Sequence, residues 1–416
     1  MKKYLIGSAI IAAALVVVFF ISQQGTMAFH MKYHGLNGAK DELRYNSYWG
    51  FGVAEEDTPF IKEVRKNAKN IEIVYNRYFK GAEWSAVEYE DQKVTAFYFD
   101  LNADGKLSDN EKIPPVNIEV NENMRGAEFV TPDFIANTDD GRQVPFRVLL
   151  QANFYEQSSS PNCMWSPSCV LEGTSTVDGE PTKLILFASG FPRSFKEFGR
   201  SSYSLVSSKA KNERQTLSSI INYNEQFYYL RLNGSHEQGK SIRAAIEKYT
   251  GATGELAAKL AGDTNLNAEL SSANIIGSKD STIQFNISKG QSILPTGVYK
   301  LERGYIHYGR EEDDKWQVSF TEGNEFTINA DKTCNVELGK PELTISAVDE
   351  NRRYNNPKEQ RVYSKGTNIY ITRIIKGKAG ETYGRFSNKR ENIEPEIRIV
   401  DADGKEIVAA TKIKYG

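Results

Sequence analysis

Residues 100–111 read Asp-Leu-Asn-Ala-Asp-Gly-Lys-Leu-Ser-Asp-Asn-Glu. Oxygen-bearing side chains stand at the first, third and fifth positions (Asp100, Asn102, Asp104), again at the ninth (Ser108), and a carboxylate closes the segment at the twelfth (Glu111). This donor set suits a hard divalent cation. Ca²⁺ takes about six to eight oxygen ligands and tolerates a flexible geometry. Gly105, at the sixth position, permits the sharp turn that points the earlier side chains inward. Lys106 contributes only its main-chain carbonyl, so its charged side chain points away. Ser108 coordinates directly or through water, Glu111 can close the site with both oxygens, and Leu107 supplies an apolar anchor. The plainer alternative is a polar Asp-Gly turn that holds no metal.

With these residues in these positions, the segment resembles the loops of the EF-hand and dockerin-like families, over these twelve residues and nowhere else in the chain. The resemblance implies a bound Ca²⁺ held by Asp100, Asn102, Asp104, Lys106, Ser108 and Glu111. The flanks depart from the family pattern. The entering segment, residues 94–100 (VTAFYFD), is strand-like, and Pro114-Pro115 limit an exiting helix to about one turn. A paired loop is also missing. Residues 401–404 (Asp-Ala-Asp-Gly) begin in the same way, but Lys405 and Lys412 occupy the fifth and twelfth positions. A lone loop between a strand and a short helical turn predicts a structural calcium staple rather than a sensor, which would open a pair of helices. Its affinity is expected in the weak extracellular range, about 10⁻⁴ to 10⁻³ M.

Other constellations carry less. Residues 234–241 (GSHEQGKS) match the phosphate-binding pattern G-x-x-x-x-G-K-[ST], with Lys240 and Ser241 in the phosphate and Mg²⁺ positions. Such a loop needs a parallel sheet with helical crossovers, and strands and turns follow instead, so a glycine-rich hairpin is favoured over a P-loop hydrolase. The four histidines (His30, His34, His236, His307) show no metal-ligand spacing, and no G-x-S-x-G elbow is present. Carboxylates such as Glu88 and Glu90 are abundant without marking a catalytic pair. Trp49, Trp84, Trp165 and Trp316 could stack on sugars, although packing is the commoner fate of tryptophan. The sequence therefore leans away from an enzyme without excluding one.

The chain begins MKKYLIGSAIIAAALVVVFFISQQ, two lysines followed by an apolar run from Tyr4 to Ile21. This is a secretory leader, either a cleaved signal peptide or an uncleaved membrane anchor. Both place the remainder outside the cytoplasm, with the membrane touched only through the N-terminal segment. Net charge is −2 over 416 residues, which excludes the basic surface that a nucleic-acid partner requires. In an oxidising compartment Cys163 and Cys169, flanking a short run of turn formers, could close a disulfide ring, leaving Cys334 free.

To position the loop, most of the chain alternates with period two. Runs at 144–155, 183–188, 226–232, 298–301, 316–320, 343–348 and 368–374 read as strands, and Asp-Gly pairs at 140–141, 178–179 and 403–404 mark hairpins. Helical periodicity is confined to 57–69 and 241–249. The expectation is a mainly β protein of two or three β-sandwich (immunoglobulin-like) units after the hydrophobic leader. The expected division is leader 1–24, β-rich domain with the calcium loop 25–235, β-sandwich 236–340 and immunoglobulin-like sandwich 341–416. The function expected is that of an exported, non-enzymatic cell-envelope or secreted protein with one structural Ca²⁺. The alternatives are an adhesin or carbohydrate-binding module, whose partner would be a cell-envelope protein or a glycan, and the P-loop hydrolase.

Overall fold

A computed structural model describes residues 26–37, 49–50, 52–53, 57–75, 84–121, 124–137, 141–155, 159–188, 195–196, 198, 200–208, 214–235, 237, 240–261, 269–288, 290–309, 316–349, 369–388, 391–392, 396–400 and 403–412. The leader lies outside the described residues. Among them the protein is mainly β, with several sheets, antiparallel except where Thr253–Ala261 runs parallel to Thr333–Gly339, and a single helix. All three Asp-Gly pairs fall between antiparallel partners: Phe134–Asn137 with Gln143–Phe146, Cys169–Val177 with Glu180–Phe187, and Glu396–Val400 with Glu406–Lys412. In the second of these, Asp178 and Gly179 both take positive φ (47° and 82°), the conformation that matches a two-residue turn to the strand twist.

The chain divides into two compact units, Met1–Tyr249 and Thr250–Gly416. The junction expected at 235/236 falls inside the hairpin formed by Gln226–Gly234 and Ile242–Lys248. The junction expected at 340/341 falls within the second unit, where one sheet takes strands from both sides, including Gly297–Tyr308, Trp316–Thr321, Thr382–Asn388 and Glu342–Asp349.

In the first unit one five-stranded sheet positions the loop. It runs Gly52–Val53, Ile71–Tyr75, Trp84–Glu90, Lys93–Phe99, Lys112–Ile113. Its strands alternate, and both faces are covered. Val74, Val87, Phe97 and Phe99 enter the main core with residues from the other sheets, among them Phe129, Leu150 and Trp165. Ile73, Ala86, Ala96 and Tyr98 face the helix Pro59–Asn67. That helix answers the periodicity expected over 57–69. Thr58 caps it by accepting the Ile61 N–H at 3.3 Å, Pro59 opens it, and Arg65 and Lys66 sit in its last turn. Phe60, Ile61 and Val64 form its buried stripe.

The second helix expected, over 241–249, is a strand. Ile242–Lys248 lies between Thr26–His30 and Gln226–Gly234, antiparallel to both, with Ile242, Ala244 and Ile246 buried. Ala, Glu and Lys favour helix locally, but burial of every second side chain between two partners overrides that preference. The stretch around His30 and His34 is likewise paired, with Ile242–Lys248 and Cys169–Val177. The ring left open for Cys163 and Cys169 does not form, and the three cysteines are free thiols. The segment read as a loop is the strand Asn162–Pro167, and the two cysteines belong to different sheets: Cys163 pairs with Ala152, whereas Cys169 pairs with Gly35.

Candidate metal centre

The loop 100–111 is the connection of a β-hairpin. Lys93–Phe99 enters it and Lys112–Ile113 leaves it, paired as Phe97 with Ile113 and Tyr98 with Lys112. A single turn precedes the exit strand, closed by the Glu111 N–H donating to the Ser108 carbonyl at 3.0 Å. No exit helix follows, because Lys112 and Ile113 join the sheet and Pro114-Pro115 come next. Two apolar side chains seat the loop from opposite sides of the sheet. Leu101 enters the main core. Leu107 packs against the cluster under the helix. Gly105, at φ +71°, lies beside the helix start, where an added Cβ would stand 3.8 Å from Pro59 Cβ.

The structure brings Asp100, Asp104 and Glu111 together, with one oxygen from each lying within 4.8 Å of the others. Two ligands on opposite sides of a Ca²⁺ at about 2.3–2.6 Å would be separated by roughly that distance. Asp100 is 6% exposed and Glu111 fully buried. Loop amides hold the carboxylates in place. Gly105 N–H donates to Asp100 Oδ2 (3.2 Å), Lys106 N–H to Asp104 Oδ1 (2.8 Å), and Leu101 N–H to Glu111 Oε1 (3.1 Å). Ser108 N–H donates to Glu111 Oε2 at 2.7 Å, and Ser108 Oγ stands 2.6 Å from the same oxygen. Asn102 Oδ1 accepts the Asp104 N–H at 3.0 Å, and Asn102 Nδ2 donates to Asp104 Oδ2 at 3.1 Å.

One atom is left over. Asp100 Oδ1 is buried and accepts no hydrogen bond. A buried carboxylate oxygen without a partner is costly, and a cation is the partner that the surrounding acceptors suit. Burial, with the Glu111 and Asp104 carboxylates adding to it against the Gly105 N–H, pushes the Asp100 carboxyl up to about 6. The donors present therefore fit Ca²⁺. Asp100, Asn102, Asp104 and Glu111 would supply side-chain oxygens and Lys106 its carbonyl, with Ser108 at the remaining corner.

The other candidates separate. The described part of 234–241 connects antiparallel strands, and Lys240 pairs with Glu237 at 2.5 Å instead of facing a helix N-terminus. Glu88 is occupied by Lys112 (3.3 Å) and by the Tyr98 hydroxyl (3.1 Å) and has no carboxylate opposite it across the hairpin, where Ala96 stands. Trp165 is core, and Trp84 packs on Tyr75 with ring centroids 5.0 Å apart. Among the described residues the exposed aromatics Tyr155 and Tyr229 belong to different sheets of the first unit, and Tyr305 and Trp316 to the second. They form no row along which a glycan would stack.

Sequence reasoning missed the buried carboxylates outside the loop. Glu128 is held by Gln151 Nε2 at 2.6 Å, and Glu381 by the Gly339 N–H and the Tyr383 hydroxyl, both at 2.7 Å. Neither has a neighbouring motif that would have revealed it. No family model, curated protein or solved structure matches the chain.

Proposed function

We propose that the protein is an exported, extracytoplasmic β protein whose first unit is stapled by one structural Ca²⁺ in the hairpin loop 100–111. The observation that carries this is the buried, unpartnered Oδ1 of Asp100, whose carboxylate clusters with those of Asp104 and Glu111. The role is structural because the loop joins two paired strands and is anchored through Leu101 and Leu107 into two separate clusters. Binding there tightens the hairpin and its helix and opens no groove. The ion would neutralise three clustered carboxylates and supply the partner that Asp100 lacks. The leader, with its two lysines and apolar run, supports the compartment, where millimolar calcium suits a weak site.

Calorimetric titration of the full chain in mild detergent, wild type against Glu111→Gln, tests the proposal. The wild type is expected to bind one Ca²⁺ and the variant to bind at least about tenfold more weakly. Absence of binding heat at millimolar calcium in the wild type refutes the metal assignment.

A further inference from the structure

The first described strand, Thr26–His30, begins five residues after the apolar run Tyr4–Ile21 ends. It is the outer strand of a four-stranded sheet, ordered Thr26–His30, Ile242–Lys248, Gln226–Gly234, Ile220–Tyr223. Pairing starts at its first residue, with Thr26 opposite Glu247, Met27 opposite Ile246 and Ala28 opposite Ala245. Phe29 has no exposed surface, and Met27 packs against the main core. Residues 26–28 therefore belong to the folded unit.

That placement bears on the fate of the leader. A signal peptidase cuts where the last and third-last residues of the leader are both small. From Phe20 to His30 only Thr26-Met27-Ala28 meets this requirement, because Gly25 has Gln23 two positions before it and Ser22 has Phe20. A cut after Ala28 removes three of the five paired residues of the strand, Met27 among them. It also puts a charged α-amino group on Phe29, a fully buried residue. Ala12-Ala13-Ala14 has the right residue types but lies in the middle of the run, and a cut there leaves the apolar Leu15–Ile21 at the head of the exported chain. Uncut, the run is eighteen residues long, about 27 Å as a helix, close to the hydrocarbon thickness of a bilayer at about 30 Å.

We propose that the leader is retained, so that the protein is anchored in the lipid bilayer by one N-terminal span, with Lys2 and Lys3 on the cytoplasmic side. This rests on the reading of the chain as exported and goes beyond it, because a cleaved leader would satisfy that reading equally well. The strand Thr26–His30 is then the tie between the membrane and the first unit. The five steps of chain from Ile21 to Thr26 reach at most about 18 Å, and the interfacial layer takes up about 5–7 Å of that. The end of the sheet that carries Thr26 and Glu247 is thereby held at the membrane surface. Only a break in the chain ahead of Thr26 releases the first unit with its sheet complete.

Expression of the full chain, with an epitope tag after Gly416, in a bacterial host tests the proposal. Intact mass, extraction with alkaline carbonate and protease treatment of spheroplasts are read on the same cells. The wild type is expected to keep residues 1–25, to stay in the membrane pellet through carbonate, and to expose its tag to external protease. The double variant Gln23→Ala, Gly25→Ala supplies small residues at both required positions just ahead of the strand. It is expected to lose residues 1–25 and to move to the soluble extracytoplasmic fraction. A wild-type mass that lacks residues 1–28, or any other processed N-terminus, with the tag still exposed to protease overturns the anchor and leaves the export reading standing. A full-length wild type whose tag is shielded from external protease overturns both.

Discussion

Calcium should raise the melting temperature of the first unit and leave that of the second unchanged. The perturbation is ligand removal, a calcium-free chain compared with one in about 10 mM CaCl₂. If the dissociation constant is about 10⁻⁴ M, that concentration is about a hundredfold excess, and linkage gives about 2.7 kcal/mol; at about 10⁻³ M it gives about 1.4 kcal/mol. For a unit of the size of Met1–Tyr249, each kcal/mol moves the midpoint by about 2–4 °C. The expected shift is therefore about 3–11 °C. The assay is differential scanning calorimetry of the full chain in detergent, in chelator and in calcium, on wild type and on Asp100→Asn. Asn keeps the side-chain size while removing the charge that draws the ion, so most of the shift should vanish in the variant. Magnesium at the same concentration should do less, because its shorter bonds and stricter octahedral shell fit a twelve-residue loop poorly. The second unit contributes no part of the loop and serves as an internal control. An unshifted first transition in calcium, or an equal shift in Asp100→Asn, refutes the staple.

Three further outcomes follow from the same geometry. The Asp100 carboxyl, pushed up to about 6 chiefly by burial, favours the calcium-free fold while protonated; that stability is present below its unfolded value of 3.8 and is lost as pH rises through about 6, at most about 3 kcal/mol. Calcium-free wild type should thus lose stability between pH 5 and pH 7 relative to Asp100→Asn, a difference that denaturant titrations at each pH will measure and that calcium will erase. Leu107→Ala should lower the first unit's denaturation free energy by about 1–2 kcal/mol, less than a full core truncation because Leu107 is half-buried at the edge of its cluster; a loss below about 0.3 kcal/mol would show that the anchor carries nothing. Burial pushes the thiols of Cys163 and Cys169 up, the latter to about 12, so an aromatic disulfide reagent should label Cys334 in the native chain and reach the other two only on unfolding; rapid native labelling of all three would contradict the placement of Cys163 and Cys169 in the core.

The candidate site was legible in the sequence because a twelve-residue loop of this kind is a local object. Its donors, its turn glycine at 105 and its anchor at Leu107 all lie within one segment, and no distant residue is needed to recognise them. The helix Pro59–Asn67 was legible for the same reason: the cap at Thr58, the opening proline and the buried stripe are fixed by neighbours three and four residues apart. Period-two alternation and Asp-Gly turns likewise announced the β class. What needed the tertiary structure was everything set by remote partners. Residues 242–248 carry helix-favouring Ala, Glu and Lys, yet they become a strand because Thr26–His30, more than two hundred residues earlier, supplies a second edge. Cys163 and Cys169 are six positions apart but part company because successive strands enter different sheets. The orphaned oxygen of Asp100 depends on how two clusters close over the loop. Sequence spacing determined which atoms could bind a cation; only long-range packing decided that one of them would be buried without any other partner.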